Sequence, residues 1–322
     1  MSPMKRLHAS ICLTLWAAAF ASCDGCKERV PTQSSEGPVR GALEAVRHLP
    51  EPESLLLDDR RVALAGEIDD GNRYLAAVRV IARAGEQTVM MCSGAALSRH
   101  VVLTAGHCVC PLRHGTPDAS QGPALIDGSS CVTSAEVEVT LYEPPSKVKG
   151  SMGASSTAAS LGTVRPHPEL KVMVDGEHHV KASHADLALI VLSEPLEAPG
   201  LPLSNVDVRM SDTILIVGHG YDEVSNVYGL ERRSSMNTVT RLATPEDERV
   251  LILQPGGHRY RQDSGGPCLR QGAHGPELVG IASRWLGEGA AFTSTYAYRR
   301  WLRDEVRHAE EAAQSRLGKE PR

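Results

Sequence analysis

Apolar residues in this chain come in short bursts rather than long stripes. Runs rich in Val, Ile, Leu and Ala fall at Leu75–Ile81, Val101–Thr104, Ala135–Leu141, Leu187–Leu192, Thr213–Val217, Val250–Leu253 and Leu278–Ala282. Gly, Pro, Asn and Asp separate many of them, so the pattern predicts an all-β domain from about Tyr74 rather than alternating βαβ units. One segment has a helical period instead. Tyr298, Trp301, Leu302 and Val306 line one helical face, and beyond Val306 the sequence turns polar and charged, so residues 307–322 are expected to form a fraying tail. The Gly/Ser/Ala-rich stretch Gly150–Gly162 predicts a flexible surface loop. No internal repeat is present.

The first 61 residues differ again. Lys5 and Arg6 precede a mostly apolar run from Ile11 to Ala21, and small residues close it. A bilayer span needs about 20 apolar residues, so residues 1–23 suit an export signal better than a membrane helix. Phe20-Ala21-Ser22-Cys23 is similar to a bacterial lipobox, in which Cys23 is lipidated and becomes the mature N-terminus. Cleavage after Ala21 is the alternative. Residues 24–61 are rich in Pro, Glu, Ser and Arg and predict a tether or pro-segment, with one short apolar period at Leu43, Val46 and Leu49.

Composition sharpens this picture in three ways. Hydrophobic residues make up 41% of the 322 positions but aromatics only 4%, so aliphatic side chains must fill the core. The net charge of −5 comes from 34 basic and 39 acidic residues mixed along the chain, with no basic stripe to suggest nucleic acid as a partner. Export permits disulfides. With Cys12 lost in the signal and Cys23 lipidated, six cysteines remain, and six allow 15 pairings.

Three local motifs carry the chemistry. They are Leu103-Thr104-Ala105-Gly106-His107-Cys108, Ala185-Asp186-Leu187-Ala188-Leu189 and Asp263-Ser264-Gly265-Gly266-Pro267. Acyl transfer at a peptide carbonyl needs a nucleophile, a base to take its proton, and a group that fixes the tautomer of the base. Ser264, His107 and Asp186 are the residue types for those tasks. Each motif also has a plainer reading: a core or surface histidine, a strand-start turn, a glycine turn. His107-Cys108-Val109-Cys110 could begin a zinc site, but no second Cys-x-x-Cys or His-x-x-His pair completes one. His178-His179 reads as a loop pair rather than metal ligands.

The three motifs, in the order His, Asp, Ser, resemble the signature segments of trypsin-like (chymotrypsin family) serine proteases. Weaker matches are His167-Pro168, Gly218-His219-Gly220, Gly280-Ile281-Ala282-Ser283 and the ending Phe292-Thr293…Tyr298…Trp301-Leu302, so the resemblance covers about residues 62–306. It implies two antiparallel Greek-key β-barrels, the first about 62–195 and the second about 196–297, and a C-terminal helix at about 298–306. By the same resemblance, Ser264 is the nucleophile, His107 the general base and Asp186 its orienting group. The amides of Gln262 and Ser264 form the oxyanion hole, and Ser283 backs the aspartate and starts the substrate strand. Asp263 pairs with a newly freed N-terminus, and Cys92–Cys108 is a disulfide. Apart from the resemblance, Cys110–Cys131 is a guess at a second bridge, and the sequence leaves the pairing of Cys26, Cys110, Cys131 and Cys268 open. No cofactor or metal is implied, and the partner is a protein or peptide substrate of a monomeric enzyme. Membrane contact comes only through a lipid anchor.

The sequence also departs from the family pattern. Gln262 stands where the oxyanion-hole glycine is usual, Tyr260 replaces a pocket-flanking cysteine, and His258 falls near the pocket base, so Lys/Arg specificity is not implied. Arg284-Trp285 replaces the usual Trp-Gly. Arg60-Arg61 before Val62-Ala63-Leu64-Ala65-Gly66 only loosely matches an activation site. These departures keep a second reading open: a catalytically weak, protease-like domain that binds a protein through its cleft.

Overall fold

The computed structural model describes residues 67–112, 124–143, 155–175, 180–222, 227–228, 231–253, 264–283 and 290–317. Its strands are β1 (Glu67–Ile68), β2 (Ala77–Ala84), β3 (Gln87–Ala96), β4 (Val101–Thr104), β5 (Ala124–Asp127), β6 (Ser134–Tyr142), β7 (Ser155–Pro166), β8 (Lys171–Val174) and β9 (Val180–His184). They continue with β10 (Ala188–Leu192), β11 (Thr213–Gly218), β12 (Tyr221–Asp222), β13 (Val227–Tyr228), β14 (Arg233–Arg241), β15 (Arg249–Leu253), β16 (Pro267–Gly272), β17 (Gly275–Ala282) and β18 (Ala290–Ser294). A one-turn helix α1 (Gly106–Val109) follows β4, and a long helix α2 (Thr295–Leu317) follows β18.

The first barrel closes in the order β10-β4-β3-β2-β6-β7, with β7 returning to β10. The second runs β14-β11-β16-β17-β18-β15 and closes through β14–β15, while β1 crosses over to add to β14. Two closed six-stranded antiparallel barrels and a C-terminal helix make the chymotrypsin-like fold that the motifs imply. A small sheet, β5-β8-β9, lies between β4 and β10 in sequence.

Burial explains why the strands nearest the site read as continuous apolar runs. Along β4, Val102 enters the first-barrel core with Val78, Val80, Ala82 and Ile190. Its neighbours Val101 and Leu103 face the other way, into a shared core with Leu187, Leu189, Val217, Leu269, Leu278, Ile281 and Leu302. A strand sandwiched between two apolar layers has no polar face to alternate with. Complete burial of Leu103 and Leu189 contributes about 1.5–3 kcal/mol each. This shared layer joins the barrels to α2, which contributes Leu302 and Ala309.

Two sequence expectations change here. Residues 155–162 are not a loop but part of β7, paired on one edge with β6 and on the other with β10. Space is short only at Gly162, where a Cβ would lie 2.5 Å from Ile190 and 2.9 Å from Leu192, whereas Ser156–Ala159 are exposed. The helix also continues past the apolar stripe to Leu317. Its polar extension is rich in the good helix formers Ala, Glu, Gln and Arg. It is tied down by buried Ala309 and by a hydrogen bond from Ser98 to Glu310.

Candidate active site

His107 sits on α1, a single turn that directly follows β4, so its position is fixed by a strand buried on both faces. The Cys92–Cys108 disulfide links that turn back to β3. Asp186 lies between β9 and β10 and is buried. The backbone N–H of His107 donates to Asp186 Oδ1 at 2.9 Å, and His107 Nδ1 lies 2.7 Å from Asp186 Oδ2. Ser283, at the end of β17, donates its hydroxyl to the same Oδ2 at 3.0 Å. Both carboxylate oxygens are thus held, one by backbone and one by side chains.

The electrostatics follow from this packing. Burial alone pushes the Asp186 carboxyl up, but the facing His107 imidazole, its two hydrogen bonds and that from Ser283 outweigh it. The carboxyl is held below the usual carboxylate range. An ionised carboxylate only accepts hydrogen bonds. Asp186 therefore holds the Nδ1–H of His107, while Nε2 lies 3.9 Å from Cys108 Sγ, a disulfide sulfur with no proton to donate.

Ser264 precedes β16 and is held by both barrels. Its carbonyl accepts from Ser93 N of β3 at 2.8 Å, and Gly265 N donates to Ala282 O of β17 at 2.7 Å. Ser93 adjoins Cys92, whose disulfide partner Cys108 adjoins His107, so short covalent steps connect the serine anchor to the histidine turn. Gly265 adopts φ +86°, and a Cβ there would lie 2.1 Å from Ser93 O and 2.2 Å from Thr104 Oγ1. Ser93 O already accepts from Thr104 Oγ1 at 2.8 Å. The Ser93 hydroxyl in turn accepts from His219 N at 2.9 Å, tying the Gly218-His219-Gly220 segment to the first barrel.

His107, Asp186, Ser283 and the Cys92–Cys108 bridge are therefore brought together, and the backbone at Ser264 is anchored to Ser93 and Ala282. The second expected bridge, Cys110–Cys131, is also present. Cys92, His107 and Cys108 cluster closely enough to suggest a metal, but both sulfurs are joined to each other. With Cys110 also oxidised, the zinc reading loses its thiolate ligands. The two disulfides fit an oxidising environment. His258, Gln262, Asp263 and Cys23 lie outside the described residues, as do Tyr260, Arg284-Trp285, His178-His179 and residues 1–66.

Other contributors were marked in the sequence without this role, or not at all. Ala185, one residue before Asp186, has φ +48°. Its N–H donates to Glu248 Oε2 at 2.9 Å and to the Tyr298 hydroxyl at 3.0 Å. Tyr298 and Trp301 also receive the edge of His167, at centroid distances of 5.0 and 4.6 Å. Burial holds the His167 pKa down, and its Nδ1 accepts from Glu169 N. The sequence marked Tyr298 as an apolar helix position and as part of the family-like ending, and did not mark Glu248.

No protein-family model matches the chain, and no curated protein does either. Among solved structures, it is similar to a scabies mite inactivated protease paralogue, S-I1. The identity is 22%, over 76% of this chain and 99% of that chain, with a TM-score of 0.47. Among the described residues, no helix is long and apolar enough to cross a membrane.

Proposed function

We propose that the chain is a serine endopeptidase that cleaves peptide bonds through an acyl-enzyme on Ser264. The observation that carries this reading is the buried His107–Asp186 pair, with both carboxylate oxygens satisfied and the imidazole Nε2 left as a base. In the proposed cycle Ser264 Oγ attacks the carbonyl carbon while its proton passes to His107 Nε2. The amides of Gln262 and Ser264 receive the oxyanion. The imidazolium, stabilised by Asp186, then protonates the leaving amine. Water repeats the sequence to release the acid and regenerate the serine. No cofactor enters any step.

Residues 1–23 direct export, Cys23 either carries a lipid or stays near the mature N-terminus after cleavage at Ala21, and 24–61 tether or mask a peptidase domain at 62–306. Asp263 receives the ammonium freed near Val62, and His258 and Ser283 border the side-chain pocket. The substrate is a protein or peptide and the enzyme a monomer. Gln262 favours a second reading, a protease-like domain with weak catalysis that binds a partner through its cleft. A glutamine in place of the usual glycine either accepts a strained backbone, at about 1–3 kcal/mol, or turns one donor away. Turnover of a small peptide ester by wild type, Ser264→Ala and Gln262→Gly separates the two. The endopeptidase reading expects hydrolysis that vanishes in Ser264→Ala and rises in Gln262→Gly. Folded wild type that turns over no faster than Ser264→Ala leaves the binding reading.

A further inference from the structure

The residue before Asp186 is held in an unfavourable conformation by groups from two other elements. Ala185 is fully buried, lacks the freedom of glycine, and nevertheless occupies the left-handed region at φ +48°. Such a conformation persists only where its surroundings over-determine it. Here the surroundings are specific. Glu248, just before β15 of the second barrel, accepts the Ala185 N–H on Oε2, and the Tyr298 hydroxyl of α2 approaches the same N–H. Tyr298 donates to Glu248 Oε2 as well. Burial, then the hydrogen bond to and charge of Glu248, raise the Tyr298 pKa, so the phenol stays protonated and remains a donor.

The other half of the carboxylate is also engaged. Glu248 Oε1 lies 2.8 Å from His184 Nδ1, and Glu248 N donates to Ser183 O at 3.0 Å. Next to it, Arg249 reaches the carbonyls of Val180 and Lys181 while Asp247 holds its guanidinium. Glu248 therefore meets Ser183, His184 and Ala185 in succession, the three residues that lead into Asp186. The Asp186 side chain itself is already gripped by His107 and Ser283. What Glu248 adds is control of the backbone that carries it.

We infer that Glu248, with Tyr298, is a positioning residue that fixes the Ala185 turn and so aims Asp186 at His107, an inference that rests on the serine-peptidase reading for its catalytic consequence. The requirement is an acceptor oxygen at Oε2, not a negative charge. A glutamine can place its carbonyl there and turn its amide toward His184 Nδ1. An alanine cannot.

The test compares wild type, Glu248→Ala, Glu248→Gln and Tyr298→Phe, each shown folded by its melting curve. The first readout needs no turnover: the low-field proton NMR resonance of His107 Nδ1–H in its charge-assisted bond to Asp186. The expectation is a sharp resonance in wild type and Glu248→Gln, displaced upfield or broadened in Glu248→Ala, and intermediate in Tyr298→Phe. The second readout is ester hydrolysis. Glu248→Ala should lower kcat about 10- to 100-fold with KM nearly unchanged, because a small misplacement of an aligned group acts on the chemical step. Glu248→Gln should recover to within about threefold of wild type. If Glu248→Ala does not fold, Tyr298→Phe, which removes one oxygen, decides the question.

An unmoved resonance in both Glu248→Ala and Tyr298→Phe overturns the inference. So does Glu248→Gln behaving like Glu248→Ala, since acceptor geometry is then not what matters. Wild type that shows the expected resonance pattern but hydrolyses nothing rejects the peptidase reading while the positioning of Asp186 stands.

Discussion

Replacing Gly265 with alanine perturbs the serine segment through two separable effects. The first is conformational: φ +86° is unfavourable for an L-residue, at roughly 1–2 kcal/mol. The second is a collision. The added Cβ would lie 2.1 Å from Ser93 O, a backbone atom, and 2.2 Å from Thr104 Oγ1, and neither belongs to the loose end of a long side chain. To reach ordinary contact the segment must retreat by more than an ångström. That stretches Ser93 N–H to Ser264 O and Gly265 N–H to Ala282 O beyond hydrogen bonding. Each lost bond costs about 1 kcal/mol net, and more where a buried group is left unpaired. The sum is roughly 3–5 kcal/mol, a large part of the 5–15 kcal/mol that stabilises typical domains. Gly85→Ala is the control, because Gly85 has φ +62° but no atom within 4 Å of its Cβ position. Urea unfolding of the three proteins gives the energies, and the rate of fluorophosphonate labelling reports whether the serine has moved. Gly265→Ala should lose at least about 2 kcal/mol more than Gly85→Ala and label far more slowly. Equal losses and equal labelling in the two variants would refute the claim that Gly265 is required by close approach to the first barrel.

Other outcomes follow from the same geometry. Asp186→Asn should lower turnover about 10⁴-fold, because an amide no longer fixes the productive tautomer of His107. The Asp186 carboxyl sits below its ordinary range. Its contribution to stability is therefore full above its unfolded pKa of about 3.9 and is lost as pH falls through the lower folded value. Acid titration of stability should be shallower for Asp186→Asn in that window, and an unchanged slope contradicts the assignment. The fully buried pair Arg232–Asp69 joins the end of β1 to the start of β14, with Arg232 also donating to Thr140 O. Asp69→Ala should cost about 3–5 kcal/mol in urea unfolding, and adding Arg232→Met should recover part of it, because the larger penalty is the charge left unpaired.

How legible the molecule was in its sequence depended on the range of each interaction. His107 and Asp186 announced themselves because each sits inside a local motif whose neighbours form the strand or turn that holds it. The barrel strands were legible for the same reason: β4 matches its apolar run residue for residue, and most others differ by a residue or two. β7 was missed because its exposed Ser and Ala residues carry no apolar alternation, and it is held by pairing with β6, while only Gly162 meets Ile190 and Leu192 about 30 positions away. The C-terminal half of α2 was read as fraying because the apolar stripe ended, although intrinsic helix propensity and docking of Ala309 and Glu310 carried it on. Glu248 was least legible. Its contact with Ala185 spans 63 positions, and no spacing rule relates a loop glutamate in one barrel to a backbone amide in the other.

The central claim is that Ser264 is an activated nucleophile served by His107. Incubation of the folded protein with a fluorophosphonate probe, followed by peptide mapping, tests it without knowledge of the substrate. Wild type should carry one label, on the peptide containing Ser264. Ser264→Ala should carry none, and His107→Ala should label orders of magnitude more slowly. Folded wild type that stays unlabelled, or that labels no faster than His107→Ala, would contradict the account.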